Sequence, residues 1–141
     1  MMWPLVAVFC CVAAAVLAVR LRYVEVRIAG TSMSPAYEPG DRVLVRRVRA
    51  RALRVGDVVV VEKPEAVGVW PAARRRGARQ WVIKRVAALP GDPVPPSVRV
   101  AQRVVPPGEL VVLGDAGRYS FDSKQHGFYP LSRVLGVALH R

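Results

Sequence analysis

Histidine occurs at only two positions, His126 and His140, and cysteine only at the adjacent pair Cys10 and Cys11. Neighbouring cysteines cannot close a useful loop on each other, and no other thiol exists to pair with them, so a disulfide framework is excluded. No HExxH and no His–Cys spacing occurs, so a Cys-rich metal site is excluded and a metal hydrolase would need an all-carboxylate site with little support in the sequence; neither a metal nor any other cofactor is expected. Lysine is nearly as scarce. Only Lys63, Lys84 and Lys124 stand against nineteen arginines. Chemistry that needs a deprotonated amine therefore has few candidates. With 141 residues there is room for one domain and not for a multidomain assembly.

What is abundant is apolar side chain, 52% of the residues. Residues 1–19 carry no charged side chain, and at 1.5 Å per residue a helix of that length reaches roughly the 30 Å of a bilayer core. Pro4 falls in the first turn, where its missing N–H costs little, and Arg20 and Arg22 close the segment as interfacial anchors do. A cleavable secretory signal would begin with basic residues, which this stretch lacks. An uncleaved single-pass anchor over 1–22 and a domain over 23–141 are expected. Arg20, Arg22 and Arg27 all follow the span, however, and by the positive-inside rule alone they would leave that domain in the cytoplasm.

Lys and Arg exceed Asp and Glu by twelve charges, which points to phosphate-bearing partners. The charge is clustered: Arg46, Arg47, Arg49, Arg51 and Arg54 form one run, and Arg74, Arg75, Arg76 and Arg79 another. Neither run is interleaved with aromatic residues or set in a helix-turn-helix pattern, so nucleic acid is not expected. Beside a membrane anchor, anionic lipid headgroups are the expected counter-charge.

After the anchor the periodicity is that of strands. Val-rich runs at 23–29, 42–48, 57–63, 81–89, 110–113 and 134–140 are bounded by Gly, Pro and Asp. Glu38-Pro39-Gly40-Asp41, Val55-Gly56-Asp57 and Leu89-Pro90-Gly91-Asp92 are turn sequences, and 64–80 and 92–108 read as excursions. No amphipathic helix competes beyond a turn near Met33, and no internal repeat occurs. The fold class expected is mainly β, a compact antiparallel sheet tethered to one helix.

Of six serines, only Ser32 sits in a segment built like a nucleophile turn, Gly30-Thr31-Ser32-Met33-Ser34-Pro35, where a tight bend can turn backbone N–H groups toward an oxyanion. No G-x-S-x-G elbow accompanies it, and a Ser-His-Asp triad is poorly supported. Lys84 is the other option. Strand alternation places it on one face with Val82 and Val86, an apolar setting that would lower its pKa and free it to act as a base. On the residues alone a Ser32–Lys84 dyad competes with a lysine that merely snorkels from a strand.

Taken in order, the Gly30 to Pro35 motif, Pro39-Gly40-Asp41, Gly56-Asp57-Val58-Val59-Val60, Ile83-Lys84-Arg85-Val86 with Leu89-Pro90-Gly91-Asp92, and Gly114-Asp115 with Ser120, Asp122, Ser123 and Gly127 resemble the type I signal peptidase family over nearly the whole chain after the anchor. The resemblance implies a membrane-tethered β fold and a serine endopeptidase of the plasma membrane, its catalytic domain outside the cytoplasm, which removes signal peptides from exported preproteins after small residues in Ala-X-Ala sequences. It implies Ser32 as nucleophile, Lys84 as general base, Ser120 as hydrogen-bond partner of the amine, and Asp122 as support for the segment from Gly114 to Gly127. Shallow substrate pockets are expected beside Met33, Val82 and Val86. The chain departs from the pattern at Ala116, where many members have Asn, at Lys124, where Arg is usual, and at Gly30, which supplies no hydroxyl to the oxyanion hole and leaves backbone donors and Thr31. A dedicated maturation enzyme of the kind that processes nickel superoxide dismutase is the alternative. A self-cleaving repressor of the LexA kind is more remote, since such proteins resemble a DNA-binding domain fused to this fold and residues 1–22 hold none.

Overall fold

The computed structural model describes residues 3–72 and 79–139. Helix α1, Trp3–Arg22, has none of its side chains buried by the rest of the chain and is long and apolar enough to cross a membrane. It runs into strand β1, Tyr23–Arg27, with no intervening residue. The other strands are β2 Arg42–Arg46, β3 Val58–Glu62, β4 Trp81–Ala88, β5 Glu109–Leu113, β6 Tyr129–Pro130 and β7 Val134–Ala138, with a four-residue helix α2 at Ser123–His126. They form one sheet in the order β1-β2-β7-β3-β4-β5-β6, every neighbouring pair antiparallel. All six expected runs are strands, and the fold is mainly β as expected. The run expected at 134–140 extends past Leu139, where the described residues end.

The sheet does not lie open. Ile28, just past β1, makes a parallel bridge to Trp81, and the Ala29 N–H donates to the Trp81 carbonyl at 2.9 Å, so β1 meets β4 and the first five strands of the order curl into a barrel. This explains the four consecutive valines of β3, all buried: Val58 and Val60 face the barrel interior with Val26, Ile28, Val43, Val45 and Ile83, while Val59 and Val61 face outward. The outward face is covered in turn, with Val82, Val86, Leu110, Val112 and Tyr129 forming a second core. A strand buried on both faces loses its polar alternation and reads as a continuous apolar run.

The Gly-Asp turns share one construction. In Glu38–Asp41, Arg54–Asp57 and Leu89–Asp92 the aspartate N–H donates to the first carbonyl at 2.9–3.1 Å, and an aspartate oxygen accepts the first residue's N–H at 2.9–3.0 Å. The third residue is glycine with φ near +90°, the type II arrangement that only glycine adopts without strain. Of the two excursions, 92–108 folds over β5 with Val98 and Val105 buried, and 64–72 carries Trp70 onto the outer core. Arg74, Arg75 and Arg76 lie outside the described residues, while Arg79 pairs with the buried Glu62 at 3.6 Å.

Candidate active site

One edge of β4 changes partner along its length, and the change creates a site. Trp81 is taken by Ala29, and from Arg85 onward β4 pairs with β5. The Ile83 carbonyl falls in the gap between them, where a buried acceptor left unpaired would be costly. Ser32 fills it: its hydroxyl donates to the Ile83 oxygen at 3.2 Å. The placement follows from register. Carried three residues past the Ile28–Trp81 bridge, the same parallel alignment would set position 31 beside Lys84. The chain turns there instead, at Gly30 with φ +92°, and a turn closed by Tyr37 N–H to Met33 O at 3.0 Å presents Ser32 to β4.

Lys84, only 2% exposed, projects from the outer face of β4 with Val82 and Val86 beside it and Val59 as its cross-strand partner. Its Nζ donates to Ser120 Oγ at 3.2 Å. Burial among aliphatic side chains lowers the Lys84 pKa to about 8, because desolvation disfavours the ammonium; the Asp122 carboxylate opposes that shift and the Lys124 ammonium adds to it. The amine is thus neutral for a substantial fraction of the time near physiological pH, unlike an ordinary lysine.

Asp122 is fully buried and holds the surrounding segment together. One oxygen accepts the Gly114 N–H at 2.8 Å and the other the Lys124 N–H at 3.0 Å, while the Asp122 N–H donates to Gln125 Oε1 at 3.0 Å, a capping box that starts α2. The Lys124 Nζ stands 3.3 Å from Asp122 Oδ2 and also donates to the Gly117 carbonyl. Residues 114–116 are in turn tied to the Ser32 turn: Ala116 N–H donates to Ser32 O at 3.0 Å and Asp115 N–H to Met33 Sδ at 3.3 Å. A bidentate pair, Arg85 Nε and Nη2 to Asp115 at 3.0 and 2.7 Å, fastens the same segment to β4, and Arg85 also reaches the Gly56 carbonyl at 3.1 Å.

Gly114 is where these pieces converge. A Cβ at that position would overlap Ser120 Oγ and lie 2.6 Å from Ser32 O, so no side chain fits without displacing one or both. Gly114→Ala should destabilise the fold by roughly 1–3 kcal/mol through overpacking. Moving Ser32 and Ser120 apart by an ångström should lower kcat/KM about 100-fold. Thermal melts and peptide cleavage on the same preparation check this, and unchanged turnover would mean that the two serines are not held by this contact.

The structure therefore draws Ser32, Lys84, Ser120 and Asp122 into one neighbourhood. Gly30 and Thr31 lie exposed on the turn leading into Ser32. Val82 and Val86 share the Lys84 face, but Met33 does not: it is buried in the barrel interior with Ile83, on the opposite side of the sheet. Reasoning from sequence missed Arg85, Asp115 and the steric role of Gly114. All three stand inside the quoted motifs, yet no spacing rule joins positions thirty residues apart. His126 is a packing residue: it is buried against Trp70 and Tyr129, and its Nδ1 accepts the Gly68 N–H at 3.3 Å. Burial lowers its pKa. Among the described residues no three His, Cys, Asp or Glu side chains converge to hold a metal.

The profile of the family described as signal peptidase, peptidase S26, matches residues 2–97 and 95–141. The probable signal peptidase I-1 of Synechocystis sp. is 34% identical, the alignment covering 91% of this chain and 76% of that one. Signal peptidase I of Leptolyngbya laminosa is 28% identical over 89% and 71%. The mitochondrial inner membrane protease subunit 1 of Schizosaccharomyces pombe is 30% identical over 80% and 69%.

Proposed function

The chain belongs to the signal peptidase family, peptidase S26, and is a membrane-bound serine endopeptidase; from that premise we propose that it removes signal peptides from exported preproteins with a Ser32–Lys84 dyad. The observation that carries the dyad is the buried Lys84 amine, its pKa lowered to about 8, one residue along β4 from the carbonyl that the Ser32 hydroxyl engages. Residues 23–141 act as the peptidase domain and 1–22 as its anchor.

In the first step the neutral Lys84 amine takes the Ser32 proton as Oγ adds to the scissile carbonyl, leaving the negative charge on the carbonyl oxygen. Backbone N–H groups of the Ser32 turn, with Thr31, receive that oxyanion; Gly30 offers no side chain to it. The Lys84 ammonium then gives its proton to the departing amine, and an acyl-Ser32 ester remains. Water attacks the ester, with Lys84 again accepting the proton, and Ser32 is regenerated. Ser120 holds the amine toward Ser32 throughout, and Asp122 keeps the segment bearing Ser120 folded.

The substrate binds as an added strand, so alternate side chains point the same way and the residues one and three before the cut meet the protein. Val82 and Val86, buried in the outer core beside Lys84, back the site on that side, and Met33 backs the Ser32 turn from the barrel interior. Shallow pockets of this kind accept Ala, Gly or Ser. In detergent, an Ala-X-Ala peptide should be cut, Phe immediately before the cut should lower kcat/KM about 100-fold by overpacking, and changes at X should matter less than about 5-fold. A preference for a basic or bulky residue before the cut would sink this reading.

The catalytic domain faces the extracytoplasmic side, where preproteins emerge, against the bias of Arg20, Arg22 and Arg27. Protease added to intact spheroplasts should then digest the domain; complete protection would place it in the cytoplasm.

A further inference from the structure

We propose that the end of α1 and the adjoining end of β2 form an arginine collar that binds the anionic phospholipid headgroups of the bilayer α1 spans. The inference rests on the membrane-anchored reading and not on the catalytic one. Arg20 and Arg22 close α1, and because β1 follows at once, Tyr23 pairs with Arg46, and the Arg47 N–H donates to the Arg22 carbonyl at 2.8 Å. Arg46 and Arg47 are thereby fixed level with the last turn of the helix, and Arg49 and Arg51 follow within five residues.

All six side chains are exposed, and among the described residues none of them is in an ion pair. Four other arginines are used internally, Arg42 with Glu25, Arg79 and Arg133 with Glu62, and Arg85 with Asp115, while Arg27, Arg54, Arg99 and Arg103 are exposed at positions spread along the chain. Residues 43–56 contain five arginines and no carboxylate, and among the described residues none of the five is in an ion pair. Twenty helical residues rise about 30 Å, the thickness of a hydrocarbon core, and the headgroup layer beyond it is about 5–8 Å deep. A collar level with the helix end therefore sits in the phosphate layer, where the planar guanidinium takes two phosphate oxygens at once. Continuity with the span selects lipid over nucleic acid, which would have to enter the same layer from solution.

The test uses the full chain in neutral mixed micelles with equal amounts of phosphatidylcholine and phosphatidylglycerol, the bound lipids being counted by native mass spectrometry. Phosphatidylglycerol should exceed phosphatidylcholine about 5-fold per bound lipid, the scale of one arginine–headgroup contact. The preference should collapse between 0.05 and 0.5 M salt as the charges are screened. It should fall toward parity in the R46Q/R47Q/R49Q/R51Q variant, which keeps Arg20 and Arg22, and persist when the same four positions are lysine. Cleavage of the Ala-X-Ala peptide in neutral detergent reports on the folding of each variant and on the protease reading separately. Equal retention of both lipids by the unaltered chain, a salt-independent preference, or displacement of phosphatidylglycerol by a single-stranded oligonucleotide would each overturn the proposal.

Discussion

Ser32→Ala should abolish peptide cleavage, with a loss on the order of 10⁶-fold in kcat, the scale on which removal of a hydrolase's nucleophile acts. The protein should nonetheless fold. The hydroxyl makes one hydrogen bond, to the Ile83 carbonyl at 3.2 Å, and its loss exposes that acceptor at a cost of about 1–3 kcal/mol. The turn itself is held by backbone groups, Ser34 N–H to Thr31 O, Tyr37 N–H to Met33 O and Ala116 N–H to Ser32 O, which the substitution leaves in place. The measurement is single-turnover cleavage beside a thermal melt; residual turnover within 100-fold of the parent would show that the nucleophile is elsewhere.

Lys84→Arg should be inactive although it conserves charge. A guanidinium titrates above pH 12, so at pH 8 the deprotonated fraction falls by at least about 10⁴ relative to an amine with a pKa of about 8. In the unaltered enzyme the sign of the pH dependence follows from the same group. Below about 8 the amine is increasingly protonated and cannot accept the Ser32 proton, so kcat/KM should rise about tenfold per pH unit, bend near 8 and level off above it. Between pH 6 and pH 9 the total rise should be about 90-fold. Lys124→Gln should move the bend to higher pH, because Lys124 lowers the Lys84 pKa and also offsets Asp122, which raises it. A flat profile, or activity in the arginine variant, would assign the base to another residue.

How much of this was legible in the chain depends on the range of the interaction. The strands were, because runs such as Val58 to Val61 are bounded by turns whose Gly-Asp chemistry is local. So was the common face of Val82, Lys84 and Val86, since strand alternation alone determines it. The closure of the barrel was not: the Ile28–Trp81 bridge joins positions more than fifty residues apart and leaves no local mark. The Arg85–Asp115 pair is hidden for the same reason. Strand β6 has two residues and α2 four, too few for any periodicity, although Asp122 and Gln125 at capping-box spacing were a usable sign of α2. Met33 shows the limit of reasoning by adjacency. It follows Ser32, yet it enters the barrel while its neighbour meets β4.

The direct passage of α1 into β1 also makes the anchor a calibrated arm rather than a leash. With no slack residue between Arg22 and Tyr23, the path from the helix end to Ile28 is six strand residues, about 20 Å when extended. The Ser32 turn is fastened to β4 immediately beyond it. For cleavage at Ser32 as proposed, the scissile bond of a peptide held in the same bilayer has to come within about 20 Å of the surface, a span that an extended chain covers in about six residues. On the proposed function, distance from the membrane, counted in residues, is a second selection rule beside the proposed preference for small side chains at the cut, set at the junction of a helix and a strand rather than in any pocket.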